Sequence, residues 1–591
     1  MIIKSFFAFY YFLFVLGASI FLNVNSFKKI EIFFLSSIIY SLSLSWFFIF
    51  FINIFKIKFT FEILFFLFCV SMLLIYFNRQ NKIKVNNNEL IDFFLFFVLL
   101  FVIFFAILLS KYIPVFVHGD AVFQWNGRWA WLLYLNEFKP NGTYPVFWPG
   151  LWALIYKAES SFGNWIIPSM SQFILPILLI LTLYLFYKKN KILFFYNFLF
   201  LVFFFWIFRK TALVGYMDTK IALLYLIFFQ IFLLYLLSDN DENFLLLLSL
   251  IAGIASITKQ VGFLLPFLSF VFLFFVFLEK KINFKLFFLF SIIPFIFLIS
   301  FLSLDDALNP LIFFFDLIFS QNSINSNFSH LQSEAEKNHF ASFNVILLSF
   351  NKIFLIIIFI LSLLNFIKLK NKFCLYGSII FLSGVVGFYF FSKYGSYDER
   401  NGRFIISILF SSSMFYLVSR NISQDGFNFL IIKKIANFKF NKIIFFSTFF
   451  LILISILFSK IINFHQIQYE IQSKLGTIGH KDSLKKEVPI IIKDLIVKLP
   501  DCSKVLIDEH ILAYNYHLIK YYSLNKKKSK IQVYNYPQEF LQNTNYEKCK
   551  EPIVWYFKKE NTFDNIKNDT NINNLKLEKI NKYIYLVRKK N

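Results

Sequence analysis

The stretch that decides the fold is residues 90–129, LIDFFLFFVLLFVIFFAILLSKYIPVFVHGDAVFQWNGRW, where an apolar run of membrane length passes into a polar and aromatic segment. A helix needs about 20 apolar residues to cross the hydrocarbon core of a bilayer, and residues 90–110 supply them. The following segment, 117–129, sets the carboxylate of Asp120 among polar and aromatic side chains. Ionisable groups cost roughly 2.5 to 3.5 kcal/mol at the centre of a membrane helix, so those at its rim tend to line a site or a pathway. We therefore expect a membrane enzyme.

Composition extends this expectation to the whole chain, because 58% of the 591 residues are hydrophobic and 22% are aromatic. The apolar residues fall in blocks of about 20, and lipid offers the backbone no outside hydrogen-bond partner, so each block must be a helix. The predicted fold class is an α-helical polytopic membrane protein of about 14 spans, followed by a small C-terminal α/β extracytoplasmic domain. The predicted spans are 5–23, 30–55, 59–77, 90–110, 166–187, 192–208, 213–237, 244–258, 260–278, 286–303, 346–366, 373–392, 404–419 and 443–463.

The net charge of +25 is explained by topology rather than by nucleic acid, because the basic residues lie in short loops between apolar runs. The positive-inside rule then places the N-terminus outside, with the acidic loop 239–242 as the exception. On this assignment the external side holds Asp120, the turn 258–260, the segment 394–403 and the C-terminal tail. Membrane lipids are expected partners, and nucleic acid is not.

The first apolar run leaves the helix count open, because Lys4 precedes a stretch that ends near residues 17–19, as in a signal peptide. We favour a membrane span, since the stretch is longer than the apolar core of a typical signal peptide and lacks an A-x-A-like cleavage site.

The composition changes near residue 464 to Lys, Asn, Asp, Glu and Tyr. Alternating β-rich and helical runs in the tail predict a small α/β domain. The β-rich runs are 504–507, 531–534, 553–557 and 583–587, and the helical runs lie near 486–499 and 510–523. The predicted domains are 1–110 as N-terminal transmembrane helices, 111–463 as a catalytic transmembrane domain with an external loop 111–165, and 464–591 as a soluble extracytoplasmic domain. Cys502 and Cys549 form a disulfide there or stay as two free thiols.

The sequence contains no CxxC, HExxH, P-loop or GxGxxG motif and no internal repeat. No metal site is therefore predicted, although the participation of a divalent cation stays open. Nucleotide-dependent transport has no support.

Polar residues cluster at four of the predicted external positions. The first external loop carries the acid, and its tryptophans are interpreted as an interfacial aromatic belt on two short amphipathic helices. The candidate residues of this loop are His118, Asp120, Gln124 and Arg128, and the belt residues are Trp129, Trp131, Trp148 and Trp152.

The second cluster consists of the segments 209–211, Arg-Lys-Thr, and 215–220, Gly-Tyr-Met-Asp-Thr-Lys. Asp218 enters at the same membrane face as Asp120. The structural alternative is an ion pair of Asp218 with Lys220 or Arg209 at a helix N-terminus. The third cluster is the segment 252–262, where a small-residue helix breaks at Lys259, placed to meet an anion or else to snorkel to headgroup phosphates.

The fourth cluster is the external segment 393–403, with Tyr397, Arg400 and Arg403. The two arginines are three residues apart and share a helix face, and arginine suits phosphate oxygens through two parallel N–H groups. The alternative is a network with the neighbouring acids of the loop.

In the order of these motifs, residues 110–410 resemble the glycosyltransferase-C superfamily, which includes protein O-mannosyltransferases and aminoarabinose transferases. Four predicted spans precede the acidic loop here, three more than the one with which family members commonly begin. The resemblance implies a polyprenyl-phosphate-sugar donor, a glycan, lipid or protein acceptor, and transfer on the outer face of a bacterial inner membrane.

Carried over by position, the resemblance implies that Asp120 acts as general base or orients the acceptor, and that Asp218 is the second catalytic acid. Lys259, Arg400 and Arg403 match candidates for the donor phosphate. The chemistry agrees, because a carboxylate can take the proton of an attacking hydroxyl and basic groups can stabilise a leaving phosphate. Two alternatives stay open: an O-antigen-type polymerase or ligase that uses a lipid-diphosphate glycan, and a lipid or solute transporter, which the helix-end position of the acids disfavours.

Overall fold

The computed structural model describes the chain in segments. These are residues 2–24, 30–82, 87–109, 125, 129–136, 146–159, 166–213, 215–238, 241–303, 350, 352–394, 402–422, 504–507, 532–534, 554–557, 575–579 and 584–589.

Seventeen α-helices make up the described part of the membrane region. They are α1 Ile2–Tyr10, α2 Leu16–Val24, α3 Ile30–Ile54, α4 Phe61–Lys82, α5 Asn87–Leu109, α6 Trp131–Leu135, α7 Phe147–Glu159, α8 Ile166–Met170, α9 Ile174–Lys189, α10 Lys191–Leu213, α11 Met217–Leu237, α12 Glu242–Ser256, α13 Leu264–Leu278, α14 Phe284–Ser303, α15 Lys352–Leu363, α16 Lys372–Tyr394 and α17 Arg403–Ile422. A π-helical turn, Tyr11–Val15, joins α1 to α2, and short 3-10 turns precede α9 and α13.

Within the described segments, nine helices are long and apolar enough to cross a membrane, and four shorter apolar helices accompany them. These helices coincide with the first thirteen predicted spans, because uninterrupted apolar runs of this length satisfy their backbone only as helices. The protein is a polytopic helical membrane protein. The fourteenth predicted span, 443–463, lies outside the described residues, so the total stays a prediction.

Helix α11 is the most enclosed of the long apolar helices described. In its most apolar 18-residue stretch, 94% of the residues are buried inside the protein, compared with 28% in α5. Phe232 of α11 stacks on Phe272 of α13 at 4.3 Å. Lipid is as apolar as these side chains, so close packing and interhelical hydrogen bonds hold such helices together. A buried polar chain adds to the packing, since Gln230 donates to Asn197 at 2.9 Å. The first turn of α11, which carries Asp218, is therefore anchored on the most enclosed helix.

The helix ends gather at two sides of the bundle. On the side that we call the site end, the amide of Phe147 at the start of α7 donates to the carbonyl of Ile257, just after α12, at 2.9 Å. The Asn136 side chain after α6 donates to the carbonyl of Ile57, after α3, at 3.1 Å. On the other side, which we call the opposite end, Glu31 at the start of α3 pairs with Lys188 at the end of α9 at 3.2 Å.

The described part of the tail is a five-stranded sheet. Its strands are β1 Lys504–Ile507, β2 Gln532–Tyr534, β3 Val554–Phe557, β4 Leu575–Lys579 and β5 Ile584–Lys589. The order is β2-β1-β3-β5-β4, with β1 parallel to β2 and β3, and β5 antiparallel to β3 and β4. Strands form at all four predicted β-rich runs, and β4 is an additional one. The tail helices lie outside the described residues, and an independent domain at 464–591 stays a prediction.

Candidate functional site

Asp218 lies in the first turn of α11. Gly215 ahead of it has a φ of 95°, a left-handed conformation that glycine adopts without a Cβ penalty. The turn leads through the extended Tyr216 into the helix. The N-terminal end of a helix carries partial positive charge, which favours a carboxylate there. The Asp218 side chain is 11% exposed, so this acid is largely shielded from solvent.

Lys259 lies at the break between α12 and α13 and forms an ion pair with Asp218. Its backbone is extended, with φ −158° and ψ 154°. The break is fixed on both sides: the Tyr225 hydroxyl donates to the carbonyl of Val261 at 2.6 Å, and the Phe147 amide donates to Ile257. From the sequence, two alternatives stayed open. Asp218 could form an ion pair with Lys220 or Arg209, and the Lys259 side chain could extend to the lipid headgroups. The structure gives Asp218 a different ion-pair partner and turns Lys259 toward the protein.

Gly262 allows the chain after the break to pass close to the backbone of α12. A Cβ at position 262 would lie 2.0 Å from the carbonyl oxygen of Ala255 and 2.6 Å from its carbonyl carbon. Both atoms belong to the backbone of α12, which cannot rotate away. The small residue therefore sets how closely the chain after Lys259 returns against α12.

Arg403 reaches the same place from the start of α17. Its guanidinium donates to the hydroxyl of Thr219 at 3.1 Å and lies over the Phe208 ring at 4.2 Å. The residue is 4% exposed. The structure thus brings together three of the predicted site residues, Asp218, Lys259 and Arg403, from three separate helix ends.

Lys220 is a member of the cluster that the sequence analysis missed as a site residue. It is 3% exposed and donates a hydrogen bond to the side-chain oxygen of Gln172. Its ammonium lies 5.2 Å from the Trp148 ring and 5.6 Å from the Trp152 ring, a cation–π arrangement. Its signal in the sequence was a lysine one half-turn after Asp218 in an otherwise uncharged helix.

The interfacial-belt prediction is wrong for Trp129, Trp148 and Trp152, which are buried inside the protein. Trp148 and Trp152 surround Lys220, and the Trp152 indole donates to the Ser171 hydroxyl at 2.8 Å. The residues around them explain the difference, because the start of α7 is hydrogen-bonded to the α12 break and is drawn into the protein. The prediction of two short helices in this loop agrees with α6 and α7.

Lys157 clamps α7 onto α6. Its ammonium donates to the carbonyl of Tyr134 at 2.6 Å and to the side-chain oxygen of Asn136 at 2.7 Å. Burial lowers the pKa of Lys157 to about 8. Asn136 has a positive φ of 59° and also donates to Ile57. The clamp therefore ties both short helices to the turn after α3.

The cluster as described contains one carboxylate, Asp218, and three basic side chains, Lys220, Lys259 and Arg403. Charges interact strongly where water is excluded, so a basic excess of this kind favours an anionic ligand. Two further buried donors face no acceptor among the described atoms: the indole N–H of Trp148 and the amide Nε2 of Gln172. The described side chains include no group of three or more His, Cys, Asp or Glu that could hold a metal ion.

The other predicted site residues lie outside the described part of the chain. They are His118, Asp120, Gln124, Arg128, Tyr397 and Arg400, together with Cys502 and Cys549 of the predicted disulfide. Their roles stay predictions.

No protein-family model matches the chain, and no curated protein sequence matches it. Among solved structures, the crystal structure of ArnT from Cupriavidus metallidurans bound to undecaprenyl phosphate is similar, with a TM-score of 0.35 and 12% sequence identity. The alignment covers 83% of this chain and 97% of that one. At this TM-score the likeness establishes neither a common fold nor a common activity.

Proposed function

We propose that the protein is a membrane glycosyltransferase that moves a sugar from a polyprenyl-phosphate donor to a glycan, lipid or protein acceptor. The observation that carries the proposal is the buried cluster at the site end. Three separate helix ends supply an acid and three bases to one place, where Lys259 contacts Asp218 and Arg403 contacts the adjacent Thr219. Ionisable groups at a membrane rim are costly and tend to serve a site.

The donor phosphate is assigned to the basic side chains. Lys259 and Arg403 supply charge at the described cluster, and Arg400 is proposed to join them from the same external segment. The leaving polyprenyl phosphate is an anion, and groups that bind it more strongly as charge develops stabilise the transition state. No separate general acid is then needed for departure of the phosphate.

The reaction is a single displacement at the anomeric carbon. The acceptor hydroxyl oxygen forms the new bond to this carbon while the bond to the phosphate oxygen breaks, and the electron pair leaves with the phosphate. The hydroxyl proton passes to the carboxylate of Asp120, which is the proposed general base, with Asp218 as the second acid of the site. The first external loop supplies His118, Gln124 and Arg128, and the late one supplies Tyr397, as substrate contacts.

The proposed setting is a bacterial inner membrane with the site and the C-terminal domain on the extracytoplasmic face. Loop charges support this orientation through the positive-inside rule. The five-stranded sheet supports a soluble domain in the tail, and in an oxidising compartment Cys502 and Cys549 would be able to pair.

The test uses the purified full-length protein with radiolabelled polyprenyl-phosphate sugars and measures release of polyprenyl phosphate. We expect release with the wild type and its loss in Asp120→Asn, with unchanged thermal unfolding. Glu279→Gln at the opposite end is the matched control, and we expect it to keep full activity. If a lipid-diphosphate glycan is supplied as the donor, release of the lipid diphosphate would instead indicate the polymerase or ligase. Flux across proteoliposomes without sugar transfer would indicate a transporter.

A further inference from the structure

Asp218 supplies the one carboxylate among the described bases of this cluster. Its carboxylate is paired with Lys259, and the neighbouring residues 219 and 220 are contacted by Arg403 and carry the buried Lys220 ammonium. Both partners of the ion pair are largely enclosed, at 11% exposure for Asp218 and 14% for Lys259. A phosphate that approaches these bases therefore meets a carboxylate already bound to one of them.

The two partners differ in how they can respond. The backbone of Lys259 is fixed by the hydrogen bonds at Ile257 and Val261 and by the close approach at Gly262. Its long side chain can still turn to a new acceptor. Lysine has three donors, and the phosphodiester of a polyprenyl-phosphate sugar offers one negative charge and two non-bridging oxygens, as a carboxylate does. The exchange therefore requires rotation of the Lys259 side chain, and new contacts to the ligand must offset the loss of the ion-pair partner of Asp218.

Two further hydrogen-bond donors beside Lys220 are available to such an anion. The Trp148 indole N–H and the Gln172 Nε2 group are buried and have no acceptor among the described atoms. A buried donor without an acceptor costs free energy that a ligand oxygen can recover. Asp218 satisfies Lys259 but leaves these two donors unmet.

We propose that Asp218 is an internal substitute for the donor phosphate, which displaces it from Lys259 on binding. The proposal rests on the proposed function, since it takes the phosphodiester of a polyprenyl-phosphate sugar as the ligand. The freed carboxylate becomes available to the acceptor only after the donor is bound, so the two substrates bind in a fixed order, donor first. Without donor, the acid stays engaged with Lys259.

The test is a double-mutant cycle on binding of radiolabelled farnesyl phosphate, which presents the lipid phosphate of the donor without its sugar, to the full-length protein in detergent micelles. Asp218→Asn removes the competitor, and we expect it to bind the probe about 10-fold more tightly than the wild type does. Lys259→Gln removes the base, and we expect binding about 10-fold weaker. In the double variant, Asp218→Asn should bring no gain, because there is no Lys259 left to release.

The cycle separates displacement from simple charge repulsion. If Asp218→Asn tightens binding equally in the Lys259→Gln background, the carboxylate acts only as a nearby negative charge and the proposal is wrong. Equal or weaker binding by Asp218→Asn alone also overturns it. Glu279→Gln, which removes a carboxylate at the opposite end, should leave binding unchanged.

Thermal unfolding of each variant shows whether it is folded, and Asp218→Ser serves as a second neutral variant if Asp218→Asn does not fold. The binding cycle needs no sugar transfer. If the cycle holds and no donor sugar is ever transferred, the proposed function fails while the displacement stands. If transfer is found and the cycle fails, only the displacement is wrong.

Discussion

The two ends of the helix bundle carry charge in different ways. At the opposite end, Glu279 and Lys281 pair at 2.5 Å within one turn and are 34% and 20% exposed. At the site end, Asp218 and Lys259 are 41 residues apart in sequence, and both are less than 15% exposed. The first pair needs only a turn, whereas the second requires the fold to bring distant helix ends together.

Distance along the chain does not by itself mark a site. Glu31 and Lys188 at the opposite end are also far apart in sequence, and Glu31 is buried. Lys188, however, is 32% exposed, so that pair keeps one partner in contact with solvent. The distinguishing feature of the site end is burial of both partners beside further bases, an arrangement typical of functional groups.

The largest expected effect is on stability and follows from this difference in burial. Lys259→Met leaves the Asp218 carboxylate enclosed without its ion-pair partner, which costs about 3–5 kcal/mol. Lys281→Met breaks a more exposed pair and should cost at most about 1 kcal/mol. Unfolding of the two variants in detergent, followed by thermal or denaturant titration, measures both. Equal losses would show that burial does not distinguish the two ends.

The next effect is on catalysis. Arg403→Met removes a buried cation and its hydrogen bond to Thr219. We expect the initial rate of polyprenyl phosphate release to fall about 10²- to 10³-fold, as for other losses of a transition-state donor. Lys281→Met, which removes a cation from the opposite end, should keep the wild-type rate. A variant of Arg403 that is folded and fully active would remove this residue from the site.

A smaller effect on stability is expected when two glycines with different surroundings are replaced by alanine. Gly262→Ala forces a Cβ against the backbone of Ala255 and should cost about 1–3 kcal/mol through overpacking. Gly384→Ala on α16 meets a side-chain carbon of Ile408 at 3.1 Å, which can shift, and it gains helix propensity. Unfolding midpoints compare the two. A tolerated alanine at position 262 would mean that the break adjusts freely.

The smallest effect for a single step, here one pH unit, is the pH dependence of the Lys157 clamp. The pKa of Lys157 falls from its ordinary value of 10.5 to about 8 in the folded protein. Between these values the unfolded chain holds a proton that the folded protein has lost, so the free energy of unfolding rises with pH. The slope is at most about 1.4 kcal/mol per pH unit. Unfolding from pH 7.5 to 10.5 measures it, and Lys157→Met should lack this rise.

The sequence predicted the helices well because each is encoded by its own apolar run. It also predicted that Asp218, Lys259 and Arg403 belong on one side, since alternating loop charges set the direction of each helix. Their convergence agrees with that prediction. The orientation of the bundle in its membrane, and the roles of the residues, stay predictions.

The contacts within the cluster could not be read from the sequence. The choice of Lys259 over Lys220 as the ion-pair partner of Asp218 depends on side-chain directions at three helix ends. The tryptophans of α7 look like interfacial residues in the sequence because Trp is common there. Only the Phe147 hydrogen bond to the α12 break shows why Trp148 lies inside instead.

The break after α12 has a consequence for how α7 is held. Helix α12 has 15 residues and is about 22 Å long, less than the roughly 30 Å hydrocarbon thickness. The chain leaves the helix at Ile257, which is fully buried, so its carbonyl is shut off from solvent and Phe147 supplies the donor. Moving α7 outward would remove this donor, so the enclosed helix acts as a plug over the end of α12.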